Sequence, residues 1–180
     1  MKYKRKEVIG DATLYMADCM DVMPYLKGVD AVVTDPPYGI NITKSNRLSV
    51  SRGMGGKDWD NETPTDDVFS LIQNYKTIIW GGNYFNLPPT KCFLVWDKNN
   101  YGRDFADCEM AWTNLDKVAR IHIERPQNMD GGKVHPTQKP VKLMKWCISH
   151  LPDDADVILD PFMGSGTTGV AALAMGRKFI

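Results

Sequence analysis

The sequence predicts an α/β fold with a mostly parallel sheet, and two observations support this prediction. Short apolar runs of strand length alternate along the chain with segments of helical character. Such alternation is typical of parallel strands whose crossover helices cover both faces of the sheet. At 180 residues the chain has an ordinary length for one domain, and no linker-like stretch divides it.

Each element follows from local composition. Eight apolar runs are predicted as strands: 12–17, 29–34, 77–80, 92–96, 110–113, 118–123, 156–159 and a last one beginning at 177. The runs at 110–113 and 118–123 are expected to form a pair. Four segments are predicted as helices: 20–27, 65–75, 141–150 and 167–175. Thr63 or Thr65 can cap the second helix, and Pro140 precedes the third, where proline favours a helix start.

The composition indicates a globular protein that we expect to be cytoplasmic. Hydrophobic residues make up 43% and charged residues 24%, and no run of 18 apolar residues could span a membrane. The basic N-terminus has no apolar stretch behind it, so it does not resemble a secretory signal. The four cysteines are far apart, without CxxC or zinc-site spacing, and no metal site is expected.

The string Asp35-Pro36-Pro37-Tyr38 directly follows an apolar strand. Its prolines lack N–H donors and fix φ, so the turn is stiff and its carbonyls point in set directions. The Asp35 carboxylate adds an acceptor and Tyr38 adds a flat face. Together these groups can hold an amino group by its two hydrogens and stack on the ring that bears it. Methylation of an exocyclic amine on a nucleobase requires this arrangement.

A glycine-rich turn at 164–166 follows another predicted strand and opens a helix. Its glycines let a ligand approach the backbone, and a helix N-terminus favours an anion. No lysine follows Gly166, which excludes a P-loop, and Ser165 lies outside a GxSxG elbow. A plain tight turn is the alternative. Because ligands of open α/β sheets bind at the carboxyl ends of strands, we expect sites at Asp18, at 35–38 and at 160–168.

Two further segments carry polar groups. In the string at 135–140, two prolines bracket polar residues, of which Thr137 and Lys139 can bind a carboxylate. No proton transfer is assigned to His135. The segment 41–62 is predicted to be a mobile basic loop beside the Asp35 turn, and a DNA contact and a solvated surface loop are the two interpretations. Its basic residues are Lys44, Arg47, Arg52 and Lys57.

Three strings together resemble the motifs of the permuted, or beta, group of amino-methylating DNA methyltransferases. They are Asp-Pro-Pro-Tyr at 35–38, His-Pro-Thr-Gln-Lys-Pro at 135–140 and Asp-Pro-Phe-Met-Gly-Ser-Gly-Thr-Thr at 160–168. The resemblance covers the chain from about residue 12 to its end. It implies a circularly permuted, Rossmann-like sheet of seven strands with one antiparallel strand. It also implies a single catalytic domain over 1–180, without a large separate target-recognition domain.

The resemblance implies S-adenosylmethionine as the cofactor, without a metal ion. Thr137 and Lys139 would hold its methionine carboxylate, and Asp18 with the Cys19 backbone would hold its adenine. Gly164 to Thr167 would lie along the cofactor. The full set of implied cofactor contacts is Asp18, Cys19, Asp35, Thr137, Lys139, Asp160, Phe162, Gly164, Ser165, Gly166 and Thr167.

The implied reaction is methyl transfer to the N6 amine of an adenine flipped out of double-stranded DNA. Asp35, Pro36, Pro37 and Tyr38 are the implied catalytic residues. Adenine is preferred because the N4-cytosine members more often begin the motif with serine. The alternatives are an N4-cytosine methyltransferase, a methyltransferase acting on adenine in RNA, and a catalytically impaired DNA-binding or regulatory subunit. Family members often dimerise, so a homodimer is a further expected partner, and the setting would be a prokaryotic or phage-infected cell.

The sequence departs from the family pattern in two places. In relatives the strand that begins at Arg177 continues to an acidic residue that binds the cofactor ribose, whereas this sequence stops at Ile180. A truncated chain, weaker cofactor binding and another ribose contact are the alternatives. The stretch from Trp96 to His135 is shorter than a usual target-recognition insert, which predicts a short or loose site or contacts from a partner subunit.

Overall fold

A computed structural model of the chain describes residues 1–40, 62–102, 106–126 and 138–180. Within these ranges, nine strands form one sheet. The strands are β1 Arg5–Ile9, β2 Ala12–Met16, β3 Ala31–Thr34, β4 Lys76–Trp80, β5 Phe93–Asp97, β6 Cys108–Thr113, β7 Arg120–Ile123, β8 Val157–Leu159 and β9 Lys178–Phe179. The α-helices are α1 Cys19–Val22, α2 Asp66–Ile72, α3 Val141–Ile148 and α4 Thr167–Leu173, and short 3-10 helices cover Met23–Tyr25 and Gly82–Tyr84.

The strand order places a topological switch point in the middle of the sheet. The order is β1-β2-β9-β8-β3-β4-β6-β5-β7. Strands β2, β9, β8, β3 and β4 are parallel to their neighbours in this series. The chain leaves β3 for β4 on one side and leaves β8 for β9 on the other, so the crossovers diverge between β3 and β8. In open α/β sheets, a crevice at such a point is the usual ligand site.

The core lies on both faces of the sheet, as the sequence predicts. Along β3, Ala31 and Val33 join one buried cluster and Val32 joins the other, because side chains alternate across a strand. Helix α3 packs on the first face through Leu143 and Cys147, and α2 packs on the second face through Phe69 and Ile72, with α4 on the first face as well. Each strand at the centre is therefore apolar on both sides.

All eight predicted strands and all four predicted helices are confirmed with ends that differ by five residues at most. The largest difference is at 20–27, where α1 ends at Val22 and a 3-10 helix follows. Thr65 occupies the N-cap position of α2, although its side chain makes no capping hydrogen bond. The expected pairing of the strands at 110–113 and 118–123 is wrong, because β6 and β7 lie on either side of β5. β6 inserts between β4 and β5, and local sequence patterns do not encode such long-range strand pairing.

The implied count of seven strands with one antiparallel member is also corrected. The described residues contain nine strands, of which β1 and β6 run against their neighbours. β1 is exposed along its whole length and carries charges, so it lacks the apolar signal of a strand. It forms a hairpin with β2 through Gly10 and Asp11, and Gly10 has the positive φ of 56° that such tight turns require.

Some predicted features lie outside the described residues. These are nearly all of the expected basic loop at 41–62, including Lys44, Arg47, Arg52 and Lys57, and the part of the proline-bracketed string that holds His135, Pro136 and Thr137. In the described ranges, no helix is both long enough and apolar enough to cross a membrane.

Candidate active site

A cavity of about 370 Å³ opens at the switch point, beside the carboxyl ends of β3 and β8. Two of the three expected sites, the turn after β3 and the turn after β8, meet there, since parallel strands end at the same edge of a sheet. The residues that line it are Asp35, Pro37, Gln138, Lys139, Met144, Asp160, Phe162, Met163, Gly164, Ser165, Thr167 and Thr168. Eight of these residues were predicted from the sequence as site residues.

Asp160 anchors the turn after β8. Its Oδ1 accepts hydrogen bonds from Thr34 Oγ1 at 2.7 Å and from the Phe162 backbone N–H at 3.0 Å, and its Oδ2 accepts one from Thr168 Oγ1 at 2.6 Å. The residue is buried. Burial raises the pKa of Asp160 from its ordinary 3.8 to about 6, although all three hydrogen bonds favour the carboxylate. Asp160 therefore ties β3, the turn and α4 together, in addition to lining the cavity.

The glycine-rich turn has the backbone that its sequence predicts. Gly164 and Gly166 have φ values of 53° and 78°, and Gly166 occupies the N-cap position of α4. The Gly166 N–H donates to the Met163 carbonyl at 2.8 Å, and Ser165 Oγ lies 3.1 Å from Thr167 Oγ1. The left-handed backbone at both glycines suits residues without a Cβ. Gly164, Ser165 and Thr167 line the cavity, whereas Gly166 does not.

Asp35 belongs to a hydrogen-bonded charge network that is centred on Lys139. Its Oδ1 accepts a hydrogen bond from Tyr38 Oη at 2.6 Å, and its Oδ2 lies 2.7 Å from Lys139 Nζ. The same ammonium lies 3.1 Å from Glu109 Oε2 and 3.2 Å from Tyr38 Oη. Glu109 Oε1 lies 2.5 Å from Lys98 Nζ. Positive and negative groups therefore alternate from Lys98 through Glu109 and Lys139 to Asp35.

Lys139 is buried, with 5% of its side chain exposed. Burial by itself lowers the pKa of its ammonium, but the carboxylates of Asp35 and Glu109 together raise that pKa well above its ordinary value. A lysine ammonium has three N–H donors, and three acceptors of the chain surround this one. The prediction that Lys139 binds a cofactor carboxylate would therefore require one of these partners to be exchanged.

Tyr38 packs within a group of aromatic residues behind the turn. Its ring stacks on Tyr84, with centroids 4.9 Å apart and planes 12° apart, and meets Phe85 edge-on at 6.1 Å. Gly81 lies against the same ring, where a Cβ would overlap the ring carbons. Lys139 Nζ lies 5.0 Å from the centroid of the Trp80 ring. The segment that follows β4 thus shapes the surroundings of Tyr38.

Four residues of this network were not predicted from the sequence: Lys98, Glu109, Trp80 and Tyr84. The sequence did contain a signal for one of them, because Glu109 directly precedes the apolar run 110–113, and both belong to a strand that proves to be internal to the sheet. A charge at such a position requires a partner. The partner itself was not predictable, since Lys139 is remote in sequence.

Asp18 and Cys19 do not line the cavity. Asp18 caps α1, where its Oδ1 accepts a hydrogen bond from the Met20 N–H at 2.8 Å. Burial, followed by the charge of Asp18, raises the pKa of the Cys19 thiol. Pro36 is buried beneath the turn, and Pro37 faces the cavity. Among the described residues no cluster of three or more His, Cys, Asp or Glu side chains could hold a metal ion.

Proteins of known family are similar to this chain in sequence. The profile of a family described as DNA methylase, N6_N4_Mtase, matches residues 61–180. The Type II methyltransferase M2.LlaDCHI of Lactococcus lactis subsp. cremoris is 56% identical in an alignment of 131 residues that covers 68% of this chain and 42% of that protein. The DNA adenine methyltransferase YhdJ of Escherichia coli (strain K12) is 54% identical over 52 residues, 29% of this chain and 18% of that protein.

The chain spans less than half of the length of either of these curated relatives. Among solved structures, the complex of M1.HpyAVI with SAM superposes with a TM-score of 0.56 at 24% identity, covering 94% of this chain and 90% of that one. At this level of identity the superposition supports a shared mixed α/β fold.

Proposed function

This chain belongs to the N6_N4_Mtase family of DNA methylases, and we propose that it transfers a methyl group from S-adenosylmethionine to the N6 amine of an adenine in DNA. One observation carries the proposal: Asp35 and Asp160, from the turns after two adjacent parallel strands, line one cavity at the switch point of the sheet. The circularly permuted strand order belongs to the same proposal.

The cavity suits S-adenosylmethionine in size and in chemistry. Its volume of about 370 Å³ lies in the range of small-molecule sites. The carboxylates of Asp35 and Asp160 suit a cation, and Phe162 and Met144 supply apolar contacts. When bound, this cofactor supplies an electrophilic methyl group on a positively charged sulfur. Asp18, Cys19 and Thr137 are proposed to complete its site.

In the proposed reaction, Asp35 and the carbonyl of Pro36 each accept one hydrogen of the adenine amine. The lone pair of that nitrogen is delocalised into the ring, so the free amine is a poor nucleophile. Two acceptors placed on one side favour a pyramidal nitrogen whose lone pair points into the cavity. Most of the rate enhancement then comes from positioning, and the amine loses its proton after the transfer, so Asp35 need not be a strong base.

The target base must leave the DNA duplex, because the turn after β3 cannot reach an amine inside the stack. Flipping costs a few kcal/mol. Stacking on Tyr38, whose ring is backed by Tyr84, would recover about 1–3 kcal/mol of that cost. Lys44, Arg47, Arg52 and Lys57 are proposed to neutralise DNA phosphates near the flipped base. A homodimer on double-stranded DNA is part of the same proposal.

Adenine is preferred to cytosine for two reasons. The motif begins with Asp35, whereas N4-cytosine members more often begin it with serine, and the Escherichia coli relative is named an adenine methyltransferase. The second candidate is N4 of cytosine, because the family includes both reactions and the same turn can hold either amine.

The decisive experiment measures transfer from labelled S-adenosylmethionine to unmethylated bacterial or phage DNA, with nucleoside analysis of the product. Wild-type protein, Asp35→Ala and the control Asp67→Ala, on the exposed side of α2, are compared. Label in N6-methyladenine that disappears only in Asp35→Ala supports the proposal. Label in N4-methylcytosine would show that the target base is cytosine rather than adenine. A folded wild-type protein that binds S-adenosylmethionine but transfers no label would contradict the proposed activity.

A further inference from the structure

Glu109 is a part-buried member of the site network, with 27% of its side chain exposed. It belongs to β6, which is inserted between β4 and β5, and its neighbour in register on β5 is Trp96. Its two oxygens bind different cations, Oε1 at 2.5 Å from Lys98 Nζ and Oε2 at 3.1 Å from Lys139 Nζ. Glu109 itself is absent from the lining of the cavity.

Glu109 supplies one of the three acceptors that surround the buried Lys139 ammonium; Asp35 and Tyr38 supply the others. A lysine ammonium is a compact charge on a flexible stem with rotatable donors, so a single acceptor does not fix its position. Three acceptors from two segments of the chain, the turn at 35–38 and β6, together fix the position of the ammonium. Without Glu109, one N–H of a buried ammonium would lack its partner, which is unfavourable, and the ammonium would shift.

We propose that Glu109 is a positioning residue for methyl transfer, which holds Lys139 and, through Lys139, fixes the orientation of the Asp35 carboxylate toward the amine. This inference rests on the proposed function. The contact between Lys139 Nζ and Asp35 Oδ2, at 2.7 Å, is the shortest that this ammonium makes, so a shift of Lys139 carries Asp35 with it. A displacement of about 1 Å at a positioned group can reduce a rate about 100-fold.

The test compares variants that separate the hydrogen bond from the charge. Glu109→Met removes both, whereas Glu109→Gln keeps an amide oxygen that can still accept from Lys139. The double variant Lys98→Met with Glu109→Met restores the net charge of the network but not the acceptor. Glu124→Met is the matched control, because Glu124 is a carboxylate directly after β7 that also pairs with a basic side chain, His122, and is less exposed than Glu109, 7% against 27%. Thermal unfolding establishes that each protein is folded at the assay temperature.

Single-turnover rate and equilibrium binding of S-adenosylmethionine are measured for each protein. We expect the rate to fall about 10- to 100-fold in Glu109→Met and to recover by at least threefold in Glu109→Gln. We expect the dissociation constant for S-adenosylmethionine to change less than about threefold. Active-site titration counts the molecules that bind cofactor, so that an unfolded fraction is not mistaken for a slower rate. The double variant stays as slow as Glu109→Met, and Glu124→Met stays within about twofold of wild type.

A wild-type rate in Glu109→Met would overturn the inference and leave the proposed function standing. Recovery in the charge-balanced double variant would also overturn it, because the effect would then be one of net charge. If Glu109→Met does not fold, Glu109→Ala, which also removes the acceptor, takes its place, and a wild-type rate in that variant would overturn the inference. A wild-type protein that binds cofactor but transfers no methyl group would overturn the proposed function, and this inference with it.

Discussion

Gly81 lies directly against the ring of Tyr38, so that a Cβ at position 81 would overlap the ring carbons. Gly81 also has a φ of 68°, which side-chain-bearing residues rarely adopt. This close packing explains why a glycine follows β4: the backbone at position 81 supports the aromatic ring of the turn that holds Asp35. The packing also makes Tyr38 sensitive to a change outside its own turn.

The first prediction is that Gly81→Ala displaces Tyr38 and reduces methyl transfer at least 10-fold. Gly28→Ala is the matched control, because Gly28 has a similar φ of 71° but nothing within 4 Å of the added Cβ. Both variants should lose about 1 kcal/mol of folding stability from backbone strain. After correction for the amount of folded protein, only Gly81→Ala should show reduced activity. Equal activity in the two variants would contradict a role for this contact.

The second prediction separates the hydroxyl of Tyr38 from its ring. Tyr38→Phe removes the donor to Asp35 Oδ1 and the acceptor for Lys139 Nζ but keeps the stack on Tyr84. We expect kcat to fall about 10-fold, equivalent to about 1.4 kcal/mol. Tyr38→Ala also removes the stacking surface, so its kcat should be lower still.

The control for the hydroxyl is Tyr101→Phe. Tyr101 also donates to an aspartate, Asp97, but at an exposed position outside the cavity. Steady-state kinetics on the same DNA should leave Tyr101→Phe close to wild type. If Tyr38→Phe matched wild type and Tyr38→Ala alone were slow, only the ring would matter and the Asp35 contact would be dispensable.

Local signals account for the parts of the fold that the sequence predicted. Runs such as 31–34 are apolar on every side, and the structure buries all four residues between two layers of helices. The rule that ligand sites lie at the carboxyl ends of parallel strands predicts sites at the turns 35–38 and 160–168, and both turns line the cavity. The third turn, at Asp18, follows β2 near the edge of the sheet and contributes nothing to the cavity lining.

Long-range pairing accounts for what the sequence did not predict. The contact between Glu109 and Lys139 depends on β6 inserting between β4 and β5, and neither hydropathy nor spacing specifies that order. β1 was missed because it is fully exposed and charged, so that only its two-residue turn at Gly10 marks it as half of a hairpin.

The third prediction concerns stability in acid. The pKa of Glu109 is lowered from its ordinary 4.5 to about 2: burial raises it, but the charges of Lys139 and Lys98 outweigh that effect. Because the folded pKa is the lower one, ionised Glu109 stabilises the fold above pH 4.5, and that contribution is lost as pH falls from 4.5 toward 2. It amounts to at most about 3 kcal/mol.

Denaturant unfolding of wild type and Glu109→Gln at pH 7 and pH 3 measures this contribution. The advantage of wild type should be largest at pH 7 and should shrink at pH 3. Glu7→Gln, which removes an exposed ion pair with Arg5, should cost less than about 1 kcal/mol at either pH. A difference for Glu109→Gln that does not vary with pH would show that the charge of Glu109 is not coupled to the buried ammonium.

The fourth prediction concerns Asp160, whose contribution to stability is lost as pH rises, the reverse of Glu109. Burial raises the pKa of Asp160 to about 6, so protonated Asp160 favours the fold. This contribution is fully present below the ordinary pKa of 3.8 and is lost as pH rises through 6. Asp160→Asn keeps the shape of the side chain but does not titrate. The free energy of unfolding of wild type, relative to Asp160→Asn, should therefore fall by up to about 3 kcal/mol between pH 4 and pH 7.

The control is Asp153→Asn, the same substitution at an exposed position before β8. It shows how a change from Asp to Asn affects the free energy of unfolding where the side chain is not buried. In Asp160→Asn the amide oxygen can replace Oδ1, to which Thr34 and the Phe162 N–H still donate. The amide NH2 then replaces Oδ2, and the Thr168 hydroxyl must reorient to accept from it for the comparison to hold. A wild-type advantage that grew with pH would mean that the three hydrogen bonds outweigh burial. In that case the charged form of Asp160, held by its hydrogen bonds, would stabilise the turn.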